Sequence, residues 1–192
     1  MRENMKKHFT AFVLTAVFLT AIPLFTVKTG VPKATNKKIL HQKDSALTDM
    51  LAYIFDEDFC TEGLKAAAII LNSNYKAGAK VNTINKNDFL KKYKNGKDYY
   101  SELEKLSDTI KDLSITYNGK AVKTPCYYIT NGICEGGKPY LRNTANPWDY
   151  FCPEYTFDAK AGVSLYSVNK MCEKGLSAEE VLNRYFKDVK IA

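Results

Sequence analysis

The chain has 192 residues, 45% hydrophobic and 26% charged, with a net charge of +7. Residues 1–40 hold seven Lys and Arg against one acid, +6, whereas residues 41–192 hold 21 against 20, +1. A nucleic-acid binder carries its cationic surface on the folded domain, so this distribution argues against that class and for a chain whose N-terminus meets a membrane.

A short basic N-terminus (1–8) leads into Phe9–Val27, 19 residues without a charge. That is about the length a helix needs to cross a ~30 Å hydrocarbon core. Arg2, Lys6 and Lys7 precede the run, as in a signal anchor or signal peptide. No A-x-A-like cleavage site stands out, so 9–27 is expected to be a membrane anchor in preference to a cleaved signal. Lys28, Lys33, Lys37 and Lys38 follow the run, and the positive-inside count does not decide orientation. The expectation is a single-pass membrane protein with its C-terminal domain extracytoplasmic, or a secreted one if the leader is cleaved. Residues 28–44, polar and basic with Gly30 and Pro32, form a juxtamembrane linker. Residues 45–192 suit one domain with its own core.

Thr61 is the expected N-cap of a helix from Glu62 to about Tyr75, with Leu64, Ala67, Ala68, Leu71 and Tyr75 at helical spacing. Ile69 and Ile70 widen its apolar face, so it should be the central helix of the core. Residues 86–95 and 101–108 read as shorter polar helices, the second opened by a capping box at Ser101 and Glu104. The period then changes. Leu113, Ile115 and Tyr117 alternate with polar residues, Asn118-Gly119 follows, and Ala121–Thr130 is rich in Tyr, Thr and Val. This predicts a β-hairpin whose loop is tight or a residue or two longer. Helical signals return with Val168, Met171 and Cys172, a C-cap at Gly175, and a capping box at Ser177 and Glu180. Val181, Leu182, Tyr185 and Phe186 give the last helix its buried face. The fold class is α+β.

Five cysteines lie in the body: Cys60, Cys126, Cys134, Cys152 and Cys172. Cys126 and Cys134 flank an expected turn at Asn131-Gly132 and are the best candidates for a disulfide. Burial as small hydrophobes accounts for them equally well. The only histidines are His8 and His41. Their absence beyond residue 41 excludes Ser-His-Asp, Cys-His and His-zinc chemistry from the domain. No C-x-x-C, Walker A or G-x-G-x-x-G pattern occurs, and no cofactor is expected. The cluster Asp56-Glu57-Asp58 could supply a general acid or a cation site, but acids before a helix have a plain electrostatic account, which is favoured. Tyr127, Tyr128, Tyr140, Trp148, Tyr150, Tyr155 and Tyr166 crowd the second half, where a glycan groove competes with ordinary aromatic packing.

Several patterns, in order over about residues 48–191, together resemble one family. Glu62-Gly63-Leu64-Lys65-Ala66-Ala67-Ala68 resembles the E-A-L-K-A-Q-A helix of the stage II sporulation protein D (SpoIID) domain. Asp108-Thr109 with Tyr117-Asn118-Gly119-Lys120 resembles its D-T-x-G…Y-x-G-K hairpin. Pro139-Tyr140-Leu141 and Asn146-Pro147-Trp148-Asp149 resemble its P-Y-L…D segment. Gly162-Val163-Ser164-Leu165-Tyr166, with Met171 and Gly175, resembles its closing G-x-S-Q-Y motif. Glu180-Val181-Leu182 with Tyr185-Phe186 is similar to its E-I-L-x-x-Y-Y ending.

The resemblance implies an apolar central helix, a β-hairpin or sheet and C-terminal helices behind an N-terminal membrane helix. It implies a cell-envelope protein of sporulation, acting on or binding peptidoglycan, with other cell-wall hydrolases as possible partners and no nucleic acid. Family members are lytic transglycosylases with one acid–base carboxylate. Their catalytic Glu falls at Ile54 here, with Asp56 and Glu57 the nearest carboxylates. Leu165 and Ser167 stand where the family has Gln and Gly, and the His- and Cys-containing insert linked to zinc in some members has no His here. The expectation is a catalytically degenerate member, with Lys65, Ser164, Tyr166, Tyr128 and Trp148 as substrate-binding candidates. The alternatives are an active enzyme using Glu57 or Asp56, and a membrane-anchored assembly subunit.

Overall fold

The computed structural model describes residues 45–153, 156 and 159–192. The expected N-terminal segment, anchor and linker lie outside the described residues. The body is α+β. It runs α1 (45–54), α2 (Thr61–Lys76), α3 (Lys86–Lys92), α4 (Gly96–Ile110), β1 (Ile115–Tyr117), β2 (Lys120–Ala121), β3 (Cys126–Tyr127), β4 (Ile133–Cys134) and β5 (Thr144–Ala145). A 3₁₀ helix (Pro147–Phe151), β6 (Val163–Ser164), α5 (Leu165–Glu173), α6 (Ala178–Tyr185) and β7 (Lys190–Ile191) complete it.

α2 is the axis of the domain. Every residue from Ala66 to Asn74 is buried, and burying a side chain such as Ile70 or Leu71 is worth about 1.5–3 kcal/mol. The helix packs against α4, α5, α6 and the β1–β2 hairpin. Its N-cap is Cys60, not Thr61: the Cys60 Sγ accepts the Gly63 N–H at 3.4 Å. Gly63 is required by the approach of α5, because a Cβ there would lie 2.3 Å from Asn169 Oδ1. That oxygen accepts the Cys60 N–H at 2.9 Å. α2 also carries three consecutive buried polar residues. Asn72 donates to the carbonyls of Lys111 and Leu113 at 2.9 and 2.7 Å, closing the end of α4. Ser73 accepts the Ile115 N–H at 2.6 Å, and Asn74 exchanges two hydrogen bonds with the Thr124 backbone at 2.8 and 2.6 Å.

The polar helices differ from expectation. α3 stops at Lys92 because Tyr93 turns extended and sends its hydroxyl to the Phe55 carbonyl at 2.7 Å. α4 starts at Gly96, so Ser101 lies inside the helix and caps nothing. The reward for the break is an aromatic cluster: Phe55 stands 5.6, 5.3 and 5.2 Å, centroid to centroid, from Phe89, Tyr93 and Tyr99. This cluster fixes the segment that follows α1.

The hairpin forms at the expected place and in its tightest form. Asn118 and Gly119 both have positive φ (50° and 74°), as a two-residue primed turn needs. Its second strand is far shorter than Ala121–Thr130. Asn74 pulls the Thr124 backbone away, and Cys126–Tyr127 pairs instead in parallel with Val163–Ser164. β1 lies between β2 and β7, both antiparallel, with Ile115 opposite Ile191. β4 and β5 form a separate antiparallel pair. At the C-terminal end, Gly175 has φ 98° after α5, and the Ser177–Glu180 capping box is complete. Glu62 from α2 adds to that cap by accepting the Ala178 N–H at 2.7 Å.

Candidate functional site

An open cleft of about 1080 Å³ lies between the end of α1, one side of α2 and the segment entering β3. Tyr53 and Ile54 bring α1 to its wall, followed by Phe55 and Asp56. Leu71 and Asn74 form its floor on α2. Thr124, Cys126, Tyr127 and Tyr128 make the opposite wall, which the paired hydrogen bonds of Asn74 hold in place. Leu165, at the start of α5, closes the base.

Asp56 is half-buried at this wall and accepts hydrogen bonds on both carboxyl oxygens, from the Tyr128 hydroxyl at 2.9 Å and from the Asp58 amide at 3.4 Å. Glu57 is exposed in the loop beyond and does not line the cleft. Of the two carboxylates that an active enzyme would have to use, only Asp56 lines the cleft, and it is engaged in holding Tyr128.

The five expected substrate contacts are dispersed. Tyr128 lines the cleft. Tyr166 stands behind it, ring centroids 6.1 Å apart, with its amide donating to the Tyr128 carbonyl at 2.9 Å. Lys65 lies away from the cleft and pairs with Glu62 at 3.7 Å. Trp148 borders a separate depression of about 580 Å³ beside Met171, Leu176 and Arg184. Ser164 is 0% exposed, so it presents nothing to a ligand.

What Ser164 does instead is structural. Asp149, also 0% exposed, accepts the Ser164 hydroxyl at 2.5 Å and the Ser167 hydroxyl at 2.8 Å on one oxygen. Its other oxygen takes the Thr130 amide at 2.8 Å and the Thr130 hydroxyl at 2.5 Å. Asn146 extends the network, donating to Thr130 and to the Gly162 carbonyl and accepting the Tyr185 hydroxyl at 2.7 Å. Burial pushes the Tyr185 phenol far above its usual range, so it is a neutral donor. The network joins β6, the 3₁₀ helix and the turn after Tyr128, and thereby sets the cleft wall from behind.

Cys126 and Cys134 are not joined: each is a free thiol, as are Cys60 and Cys172. The two lie on different strand pairs: Cys126 Sγ accepts from Asn74 at 3.3 Å, while Cys134 is buried. Desolvation pushes both thiols up to about 11. No group of three or more His, Cys, Asp or Glu among the described residues is placed to hold a metal ion.

Little in the local sequence marks the cleft's other features. Tyr127 and Tyr140 belonged to the noted aromatic crowd, but Tyr53 stands well before it. The lysines of the rim, Lys80, Lys92, Lys123 and Lys138, come from four separate segments, and no local pattern unites them. The chain matches no protein-family model and no curated protein with which it was compared.

Proposed function

We propose that this chain is a membrane-tethered cell-envelope protein of the SpoIID type that binds peptidoglycan glycan strands during sporulation without cutting them. The observation that carries this reading is Ile54. The resemblance assigns the catalytic Glu to this position, and Ile54 lines the cleft. An apolar side chain there neither protonates a glycosidic oxygen nor assists attack by a sugar hydroxyl. The aromatic lining from Tyr53, Tyr127 and Tyr128 supports a sugar ligand and speaks against an assembly subunit that touches no glycan.

A second reading, an active lytic transglycosylase, draws support from Asp56 alone, because it faces the same cleft. Its two acceptor bonds commit it to Tyr128 and its own loop.

The test uses the full-length chain purified in detergent. It should sediment with isolated glycan strands and release no anhydro-sugar ends detectable by mass spectrometry. Release of such ends, abolished by Asp56→Asn, would falsify the non-catalytic reading in favour of the enzyme.

A further inference from the structure

The glycan-binding reading above is the base on which this inference rests. The body of the chain is nearly neutral, but its cleft is not. Lys80, Lys92, Lys123 and Lys138 all border it and all are exposed. They arrive from the loop after α2, the end of α3, the approach to β3 and the turn before Tyr140. None of the four is in an ion pair among the described residues. Asp56 is the one acid among the described residues that lines the cleft, and its carboxylate is already held by Tyr128. Five of the domain's other acids, Glu62, Asp88, Glu104, Asp108 and Glu173, pair with lysines outside the cleft, and none of the rest among the described residues lines it. Four ammonium groups around one concavity create a positive potential that a neutral sugar does not answer. Tyr53 and Tyr127 also line it, 50% and 37% exposed, and one face of the Tyr127 ring carries the Lys160 ammonium 5.9 Å from its centroid.

We propose that the cleft selects glycan strands bearing a negative group at intervals along the chain, a carboxylate or a phosphate. Sugar faces lie on Tyr53 and Tyr127, and the anionic groups meet Lys80, Lys92, Lys123 and Lys138. The lysines are the specificity determinants and the tyrosines the general sugar contacts.

The experiment compares sedimentation of the full-length chain, in detergent, with three insoluble polymers. One is chitin, an uncharged β-1,4-linked N-acetylglucosamine chain. The second is peptidoglycan stripped of its peptides, which keeps a lactyl carboxylate on alternate sugars. The third is the same wall material with its phosphodiester polymer still attached. Retention on an anionic polymer should exceed that on chitin about tenfold at low salt and converge with it as ionic strength approaches ~1 M. Preference between the second and third polymers identifies carboxylate or phosphate as the recognised group. The double substitution Lys123→Gln with Lys138→Gln should lower retention on the preferred polymer about tenfold and leave chitin unchanged. Arg at both positions should restore it. Equal retention on chitin and both anionic polymers, unmoved by salt or by the lysine substitutions, overturns the charge selection while leaving glycan binding intact. Retention on none of the three removes both readings. Tighter capture by bead-bound single-stranded oligonucleotide than by any glycan overturns this assignment of the cleft.

Discussion

Asp149 is fully buried, and what holds its carboxylate is a set of neutral donors. Two come from Thr130, one from Ser164 and one from Ser167. Charge-assisted bonds of this kind are about twice as strong as neutral ones, and stranding their donors is costly. Asp149→Asn keeps the shape and removes the charge. The Thr130 amide cannot rotate, so the Asn oxygen must face it. The new NH₂ then faces Ser164 and Ser167, and both hydroxyls must turn to accept. Ser164 already accepts the Ser167 N–H as the N-cap of α5. The expected cost is about 2 kcal/mol, seen as a Tm lower by about 4–8 °C. A variant as stable as the parent would show that the charge is immaterial to the network. In the sequence Asp149 stands out only as part of a motif resemblance. Nothing local separates a buried Asp from the many that lie on surfaces, and the three segments it joins are brought together only by tertiary folding. The Asn72-Ser73-Asn74 run was a usable signal, because polar residues interrupting so apolar a helix must be paired with backbone from elsewhere.

Elements were legible where their determinants are local. The Ser177–Glu180 box, Gly175 and the Asn118-Gly119 turn act within a few residues, and all three appear where the sequence puts them. Two-residue strands such as β3, β6 and β7 have no period to detect, and the parallel β3–β6 pair joins residues far apart in the chain. The expected second hairpin arm failed for the same reason: Asn74 outcompetes a ladder that local propensity favoured. The capping box makes a prediction at this scale. Hydrogen bonds from the Ser177 backbone, then from its side chain, hold the Glu180 carboxyl below its usual range. A carboxyl whose folded value is depressed adds stability above its unfolded value, and that stability is lost as pH falls through the folded value. The domain's unfolding temperature should therefore fall on acidification below about pH 5, starting near the ordinary carboxylate range. Glu180→Gln should show a smaller part of that fall and be less stable than the parent at neutral pH. An identical pH profile for the two proteins would show that the box is formed but energetically idle.

At the scale of the whole molecule, the cleft could not be read from sequence because its walls come from α1, α2, the 123–128 segment and α5, which only tertiary packing makes neighbours. The same dependence on distant pairing appears in how the domain closes. β7 completes the β2–β1–β7 sheet from the far end of the chain, and its only sequence signal is a short Val-Lys-Ile stretch. The attachment is nevertheless specific. Ser114 and Ala192 exchange backbone hydrogen bonds at 2.8 and 3.0 Å, Thr116 donates its hydroxyl to the Lys190 carbonyl at 3.2 Å, and Ile191 packs against the core opposite Ile115. Removing residues 189–192 would strip one edge of β1 of its partners and uncover part of Ile115, which is 1% exposed. With about 1 kcal/mol for each of the two Ser114–Ala192 bonds, about 1 kcal/mol for the partial burial of Ile191 and the Thr116–Lys190 ladder lost as well, the truncation should cost at least roughly 3 kcal/mol. Amide exchange should quicken first at residues 114–117 and at Val122, whose N–H is bonded to the Ile115 carbonyl. The α5–α6 end, which is capped independently by Ser177 and Glu62, should keep its protection. Uniform loss of protection across both ends would mean instead that the C-terminal strand holds the entire domain as one cooperative unit, with the sheet and the helical end unable to open separately.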